Sequence, residues 1–305
     1  MTVESGVPVF DGMLRDRLSR RFGREVNAWL DELPPVLASL RQRWGLILGS
    51  LIQRGTVSVV LSCWTAEGAP AVLKVSPDRR RINDEADALA GWGTPKVPAV
   101  LAVDPRVGAL LIEAIKPGTA LDQRGTYPRS EAMVELIAGL HHAGAAGGHV
   151  SVSARITSLF DAGRTVYDRR PDLREVVPLA LYEDGHQLAM HLATETRPAV
   201  LLHGDLTPVN ILDGGSDRGL VAVDPAPCIG DPAFDTIDLL LWKARDWATI
   251  TSRAKQLAPK IGVPTERALD WCAAFAPMTA LELAAASPES PPDIDWLLAV
   301  TQAAT

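Results

Sequence analysis

The sequence has few cysteines, no long apolar run and no leader-like segment at its start. Cys63, Cys228 and Cys272 are widely separated and odd in number, so they predict neither a disulfide framework nor a metal-binding pair and suit a reducing compartment. No apolar run approaches the roughly 18 residues that a membrane-spanning helix needs. The opening MTVESGVPVF lacks a basic region followed by an apolar stretch, unlike a signal peptide. We therefore expect a cytoplasmic protein without membrane contact.

The composition is that of an ordinary globular protein with an acidic balance. Of the 305 residues, 47% are hydrophobic and 22% are charged, and the formal net charge is −7. This length allows one large domain or two lobes with a sizeable core. The negative charge argues against nucleic acid as a partner and is compatible with a cationic small molecule. The sequence contains no internal repeat and no low-complexity segment. Nothing in it indicates a protein partner.

The first 115 residues are predicted to contain helices followed by paired strands. Apolar residues at three- and four-residue steps predict helix over the first 45 residues, where Pro34-Pro35 predicts a break or the start of a second helix. The runs TVSVVLSCW and PAVLKV, joined by the turn AEGA, predict a β-hairpin. A helix is expected from about Asn83 to Trp92, and VPAVLAVD and GALLIEAI predict two further strands.

The rest of the chain is predicted to be mostly helical. SEAMVELIAGLHHA, residues 171–195 and the chain from about Phe234 onward favour helix. One β-rich island interrupts them, consisting of AVLLHGDLTPVNILDGG and GLVAVDPAP. We therefore predict an α+β fold with a small β-rich N-terminal lobe, residues 1–115, and a larger helical C-terminal lobe, residues 116–305, which carries the catalytic loop and the substrate site.

The strongest local signal lies in the β-rich island. His203-Gly204-Asp205 follows an apolar run, Asn210 comes five residues after Asp205, and Asp224 follows the next apolar run. In phosphoryl transfer one carboxylate accepts the proton of the attacking hydroxyl, while a carboxylate and an amide oxygen hold Mg²⁺. The protein-kinase pattern has the same spacing. We therefore predict Asp205 as the catalytic base, Asn210 and Asp224 as magnesium ligands, and His203 as a support for the loop.

A lysine on the predicted strand PAVLKV supplies the second half of this pattern. In the kinase plan such a lysine contacts the α- and β-phosphates of ATP and pairs with a glutamate on a helix. Lys74 takes the first role, and Glu85, eleven residues later, is the predicted partner. Asp84 is the alternative partner.

The segment Gln53–Ser58 is predicted to cover the phosphates. It contains only Gly55 and no G-x-G-x-x-G pattern, so Thr56 or Ser58 and backbone amides would have to hold the phosphates.

The segment Gly230–Asp235 has a strong structural interpretation. Asp231 suits a helix N-cap, with Pro232 at the first helical position. Asp231 or Asp235 could also brace the catalytic loop from beneath. His141 and His142 are adjacent on a predicted helix and do not share a face, so they do not indicate a metal pair.

The chain resembles the aminoglycoside phosphotransferase superfamily, most closely its streptomycin 6-phosphotransferase and hydroxyurea phosphotransferase group. The stretches that carry the resemblance are AWLDELPPVLASLRQRWGL, GAPAVLKV, EADALAGWG, GALLIEAIKPGTAL, LLHGDLTPVNIL and VAVDPAPCIGDPAFD. It implies a two-lobed, protein-kinase-like fold with MgATP between the lobes. It also implies a hinge at Glu113-Ala114-Ile115 whose backbone holds adenine. The chain departs from the family at Thr207, where a histidine is common.

The resemblance implies an ATP-dependent phosphotransferase that acts on a hydroxyl of a small molecule and confers antibiotic resistance. Streptomycin is the first candidate acceptor, and viomycin-type peptides, hydroxyurea and a host metabolite stay open. If the acceptor is cationic, acidic residues of the helical lobe would meet its ammonium or guanidinium groups. The candidates are Asp231, Asp235, Asp238 and Glu282.

Two other functions are compatible with parts of the pattern. The sparse glycine loop allows a kinase-like nucleotide-binding protein without transfer activity. His203, Asp205 and Asp224 allow a metal-dependent hydrolase, although no third and fourth ligand follow at suitable spacing and the hard oxygen set suits Mg²⁺ better than Zn²⁺.

Overall fold

The computed structural model describes residues 10–53, 57–143, 148–195, 198–286 and 293–304. The chain divides into two compact units, Met1–Gly118 and Thr119–Thr305, three residues beyond the boundary placed after residue 115 from the sequence. Within the described ranges, no helix is both long enough and apolar enough to cross a bilayer.

The first unit begins with two helices, α1 (Gly12–Phe22) and α2 (Val26–Trp44). The prediction that Pro34-Pro35 would separate them is wrong, because α2 continues through both prolines and the break falls before Val26. The missing N–H groups leave helix carbonyls without partners, but the prolines lie on the half-buried and exposed side of α2. The opposite side is a continuous buried stripe that favours one unbroken helix. Its members are Leu30, Leu33, Leu37 and Leu40.

A five-stranded antiparallel sheet follows the two helices. Its strands are β1 (Ile47–Leu51), β2 (Val59–Trp64), β3 (Pro70–Val75), β4 (Val100–Asp104) and β5 (Ala109–Glu113), in the order β1-β2-β3-β5-β4. The predicted β2–β3 hairpin and the predicted pair β4–β5 are confirmed. β1 was not predicted, because Gly49 and Ser50 interrupt its short apolar run. A Cβ at Gly49 would lie 2.6 Å from Ser62 Oγ on β2, so the pairing needs glycine there.

Helix α3 (Arg79–Trp92) connects β3 to β4 and begins four residues before the predicted start. Asp78 caps it by accepting a hydrogen bond of 3.0 Å from the Arg81 N–H. The leucine stripe of α2 belongs to one hydrophobic core with inward residues of β2 and β3. This core fixes the plane of the sheet on which Lys74 lies.

The second unit is predominantly helical, as predicted. Its helices are α4 (Ser130–Ala143), α5 (Val152–Arg169), α6 (Leu173–Val176), α7 (Leu179–Thr194), α8 (Gly215–Arg218), α9 (Ile237–Leu241), α10 (Trp247–Leu257), α11 (Thr265–Ala286) and α12 (Asp295–Ala304). Short 3₁₀ turns at 121–124, 208–210, 232–236 and 258–261 connect them. Buried aromatic side chains, including Phe160, Tyr182 and Trp271, fill the space between the helices.

In the described part of the second unit, short strands lie between the helices. β8 (Ile211–Asp213) and β9 (Leu220–Ala222) form the predicted hairpin. β7 (Val200–Leu202) pairs with β10 (Cys228–Gly230), which in turn pairs with β6 (Val150–Ser151). β6 and β10 were not predicted, because two or three residues are too few to show the alternation typical of a strand.

Candidate active site

The HGD loop, residues 203–210, connects β7 to the β8–β9 hairpin. Gly204 has a φ of +72°, and a Cβ there would lie 2.1 Å from the carbonyl oxygen of Ala226. Ala226 also donates its N–H to the carbonyl of His203 at 2.9 Å. Only glycine fits this close approach of two backbone segments. The chain therefore turns sharply after β7 and presents the next residue, Asp205.

The carboxylate of Asp205 is held at both oxygens. Asn210 Nδ2 donates to Oδ2 at 3.0 Å and to the backbone carbonyl of Asp205 at 2.9 Å. Arg155 Nη2, from α5, lies 3.4 Å from Oδ1. The Asp205 side chain still exposes 32% of its surface. It is thus an oriented carboxylate that a ligand can reach.

Asn210 and Asp224 meet across the β8–β9 hairpin. Ile211 pairs with Ala222, and the Val223 N–H donates to the Asn210 carbonyl at 2.8 Å. Asp224 follows directly in a left-handed conformation with a φ of +58°, which is uncommon for a residue other than glycine. The hairpin predicted from the sequence therefore brings these two residues onto neighbouring strand ends.

The donor chemistry of this pair fits Mg²⁺. The side-chain nitrogen of Asn210 is engaged by Asp205, which leaves its amide oxygen as the atom that can coordinate a metal. Mg²⁺ prefers oxygen ligands and commonly takes only one or two protein side chains beside water and phosphate oxygens. Among the described residues, no group of three or more His, Cys, Asp or Glu side chains is arranged to hold a metal.

Asp235 braces the HGD loop from beneath. Its Oδ2 accepts the His203 N–H at 2.8 Å, and its Oδ1 accepts the Gly204 N–H at 3.0 Å. His141 Nε2, from α4, lies 3.1 Å from Oδ2. Burial opposes ionisation, yet the hydrogen bond and charge of His141 hold the pKa of Asp235 below its ordinary value. Asp235 is therefore a buried carboxylate that fixes two consecutive amides of the loop.

His203 supports the same loop from its other side. Its ring is fully buried, and Nε2 lies 3.0 Å from the carbonyl oxygen of Val223. A carbonyl only accepts, so Nε2 carries the proton. Burial lowers the pKa of His203, which keeps the ring neutral near pH 7. This is the supporting position predicted from the sequence.

Asp231 and Asp235 do not occupy the substrate-contacting positions predicted for them. Asp231 is buried, caps the Ala233 N–H at 2.9 Å, and pairs with Arg267 Nε at 2.5 Å and Trp271 Nε1 at 3.0 Å. Asp235 is equally engaged beneath the loop. Of the two residues predicted as possible braces, Asp235 contacts the loop and Asp231 contacts α11.

The other two acidic candidates line a cavity of about 670 Å³ in the second unit. Asp238 and Glu282 lie in its wall with Thr207 of the HGD loop, Trp242 and Trp296. Burial, followed by the negative charges of Asp205 and Glu282, raises the pKa of Asp238 to about 7.

The pKa of Glu282 is raised as well, by desolvation first and then by the charge of Asp205. Glu282 is exposed and lines the cavity. Two coupled carboxyl groups beside Asp205 form a site that a positive charge would stabilise.

In the first unit, Lys74 and Glu85 are brought together as predicted. Lys74 Nζ lies 2.5 Å from Glu85 Oε1, and both side chains are almost fully buried. Asp84, the alternative partner, instead lies 3.6 Å from Arg80 on the exposed side of α3. The pair joins β3 to α3 and fixes the lysine.

The other residues predicted to contact the nucleotide are Thr56, Ser58, Glu113 and Ile115. Thr56 lies outside the described residues, and Ser58 is buried, with only 2% of its surface exposed. Glu113 is the last residue of β5, and its N–H donates to the Ala99 carbonyl at 2.9 Å. Ile115 follows three residues before the end of the first unit.

Two contacts of the HGD loop were missed by sequence reasoning. Arg155 reaches Asp205 from α5, and His141 reaches Asp235 from α4. Both lie far from the loop in sequence and within no recognisable motif. Only the packing of α4 and α5 against the β7–β10 pair reveals them.

Comparison with known proteins identifies relatives over most of the chain. A streptomycin 6-kinase of Streptomyces glaucescens is 29% identical, with 83% of each chain covered. A hydroxyurea phosphotransferase of Kitasatospora aureofaciens is also 29% identical, over 82% of this chain and 72% of the relative.

Solved structures show the same fold at lower identity. The choline kinase LicA of Streptococcus pneumoniae has a TM-score of 0.58 at 13% identity, with 88% of this chain and 95% of LicA covered. A thermostable mutant of an aminoglycoside phosphotransferase, solved in a ternary complex with ADP and hygromycin B, has a TM-score of 0.54 at 18% identity, covering 88% and 96%. The protein-kinase-like fold expected from the sequence is thereby confirmed.

A family described as aminoglycoside/hydroxyurea antibiotic resistance kinase matches residues 43–286. This match includes β1 to β5, the HGD loop, the β8–β9 hairpin and all of α11. The chain therefore belongs to the aminoglycoside/hydroxyurea antibiotic resistance kinase family.

Proposed function

We propose that this kinase transfers the γ-phosphoryl group of ATP to a hydroxyl of a small molecule, with Asp205 accepting the hydroxyl proton. The observation that carries this role is the Asp205 carboxylate, which is oriented at both oxygens by Asn210 and Arg155 yet exposed to a ligand. General-base catalysis requires such a positioned and accessible group. Asp231 and Asp235 lack this access, because internal donors occupy them.

The other predicted residues have complementary roles in this proposal. Asn210 and Asp224 hold Mg²⁺, which supplies positive charge to the phosphate oxygens when bound. Lys74, fixed by Glu85, contacts the phosphates, and the backbone at Glu113 and Ile115 contacts adenine. The protein contributes mainly by positioning these groups and by their electrostatic interactions.

The acidic cavity supports a cationic acceptor. Asp238 and Glu282 offer negative charge beside Thr207, and Trp242 and Trp296 offer flat aromatic faces that can interact with cations. Streptomycin is the first candidate, because two curated relatives are named streptomycin 6-kinase. Hydroxyurea is the second, since a further relative is named hydroxyurea phosphotransferase.

The three buried, unpaired thiols fit a reducing cytoplasm.

The first experiment measures ADP release from MgATP with streptomycin, other aminoglycosides, viomycin-type peptides, hydroxyurea and small metabolites. We expect release that depends on one acceptor and stops in Asp205→Ala, with nucleotide binding preserved. Mass spectrometry of the product then identifies the phosphorylated hydroxyl. Full transfer by Asp205→Ala would overturn the role of this residue.

The alternative of a nucleotide-binding protein without transfer activity has a distinct outcome. Tight MgATP binding, together with no ADP release on the whole panel, would favour it. A kinase of a host metabolite would instead respond to a metabolite and leave every antibiotic on the panel unmodified.

A further inference from the structure

Arg155 lies on the first turn of α5, at a position that the packing of this helix fixes. Ser151 caps α5 by accepting the Ala154 N–H at 3.2 Å, and β6 directly before it pairs with β10. Val152, the first residue of α5, packs so closely on β10 that a Cβ added to Gly230 would lie 2.4 Å from its side chain. The Arg155 side chain is 16% exposed. The capped and packed start of α5 therefore places the guanidinium group of Arg155 beside the HGD loop.

The guanidinium contacts the loop at two points. Nε donates to the carbonyl oxygen of Gly204 at 2.9 Å, and Nη2 lies 3.4 Å from Asp205 Oδ1. Because the guanidinium is planar, the first contact fixes the plane from which the second is made. On the opposite side, Asn210 Nδ2 holds Asp205 Oδ2 at 3.0 Å. Each carboxylate oxygen of Asp205 thus has its own partner.

An aspartate needs such partners to hold one orientation. The terminal torsion of a carboxylate has broad minima, so one hydrogen bond on Oδ2 leaves Oδ1 free to swing. A displacement of about 1 Å can reduce a rate on the order of 100-fold. Three further carboxyl groups, Asp235, Asp238 and Glu282, also surround this region. Arg155 provides positive charge among them.

We propose that Arg155 is a positioning residue for the reaction: it bridges the Gly204 carbonyl and Asp205 Oδ1 and thereby fixes the carboxylate toward the acceptor hydroxyl. This inference rests on the proposed function, in which Asp205 accepts the hydroxyl proton. In this proposal Arg155 acts through Asp205. Its loss therefore affects the transfer step and leaves ground-state binding unchanged.

The test compares Arg155→Met, Arg155→Lys and Arg164→Met by ADP release with streptomycin, or with another acceptor on the panel that supports release if streptomycin gives none. For Arg155→Met we expect kcat to fall about 30- to 100-fold, with KM for MgATP and acceptor changed less than about 2-fold. Arg155→Lys should recover about a third of the lost activity on a logarithmic scale. The lysine ammonium reaches only one of the two oxygens that Arg155 contacts, the Gly204 carbonyl oxygen and Asp205 Oδ1. Arg164 is the matched control: on the same helix, it pairs with Glu183 at 2.6 Å.

Thermal unfolding of each variant separates positioning from folding. A folded Arg155→Met with reduced kcat supports the inference, and Arg155→Lys carries the test if Arg155→Met does not fold. Loss expressed only in KM, or kcat within about 2-fold of the parent, would contradict it.

A double-mutant cycle with Asp205→Asn separates this inference from the proposed function. If Arg155 acts through Asp205, adding Arg155→Met to Asp205→Asn changes the residual rate less than about 3-fold. Independent, additive losses overturn the positioning role alone. Unreduced transfer by Asp205→Asn, or no acceptor-dependent ADP release by the parent enzyme on the whole panel, overturns the proposed function and this inference with it.

Discussion

Two acidic segments of the second unit have the same chemistry and opposite uses. In the segment 230–236, Asp231 and Asp235 each accept three hydrogen bonds from internal donors and are almost fully buried. In the HGD loop, Asp205 has one hydrogen-bond donor and one ion pair and remains 32% exposed. A carboxylate whose acceptor capacity is filled from inside serves the fold, while one with remaining capacity can serve a ligand.

The largest expected effect on activity is that of replacing Asp205 by asparagine. Asparagine has nearly the same size and can still accept from Asn210, so we expect stability close to that of the parent protein. An amide cannot accept the hydroxyl proton, and kcat should fall on the order of 10³-fold. Steady-state ADP release and thermal unfolding on the same preparation check both halves. A large loss of stability would place Asp205 with the structural carboxylates.

The sequence predicts some of the residues that serve a ligand or the fold but not others, depending on whether their contacts are local in the chain. Asn210 and Asp224 lie at fixed spacings beside apolar runs, so their placement at neighbouring strand ends of one hairpin follows from local pattern alone. Asp205 lies five residues before Asn210 and bonds to it. The Lys74–Glu85 pair follows similarly from one strand and the next helix. These contacts span few residues, and few alternative arrangements compete with them.

The contacts of Asp231 and Arg155 could not be predicted in the same way. Asp231 meets Arg267 and Trp271 only after α11 packs beside it, and nothing near Arg155 in sequence indicates Asp205. Such partners are set by tertiary packing across long separations. The sequence identifies acidic residues but not which of them internal donors will occupy.

Asp235→Asn should damage folding and catalysis together. The new amide nitrogen would face a backbone N–H of the loop, either that of Gly204 or that of His203, and leave a buried donor without its acceptor. We expect a loss of about 3 kcal/mol in the free energy of unfolding. Because the displaced amides belong to the HGD loop, kcat should fall as well. Urea unfolding and ADP release measure the two effects.

The matched control for Asp235→Asn is Asp172→Asn. Asp172 is an exposed aspartate paired with Arg170 at 2.7 Å, and exposed pairs contribute little to stability. Asp172→Asn should leave both measurements unchanged. Equal effects of the two substitutions would remove the distinction between buried and exposed carboxylates.

Asp231→Asn should affect stability alone. Its donors belong to Arg267, Trp271 and the Ala233 N–H, none of which lies in the HGD loop. We expect a loss of about 2 kcal/mol in the free energy of unfolding, since the buried Arg267 loses a charged partner but retains Glu195 at 3.1 Å. In the fraction that remains folded, kcat should stay within about 2-fold of the parent. A selective fall in kcat would link this segment to catalysis after all.

The smallest expected effect concerns Asp238, which lies between the two classes because it is half-buried and faces the cavity. Its pKa is raised to about 7 by burial and by Asp205, Glu282 and Asp235, with Arg155 opposing them. The carboxyl is therefore neutral below pH 7 and negative above it, so a guanidinium ligand, which stays positive throughout, should bind better as pH rises. We expect KM for streptomycin to fall about 3- to 10-fold between about pH 6 and pH 8. Asp238→Asn should flatten that change, whereas Asp172→Asn should keep it. A KM that depends on pH equally in both variants would place the titrating group elsewhere in the cavity, with Glu282 as the next residue to replace.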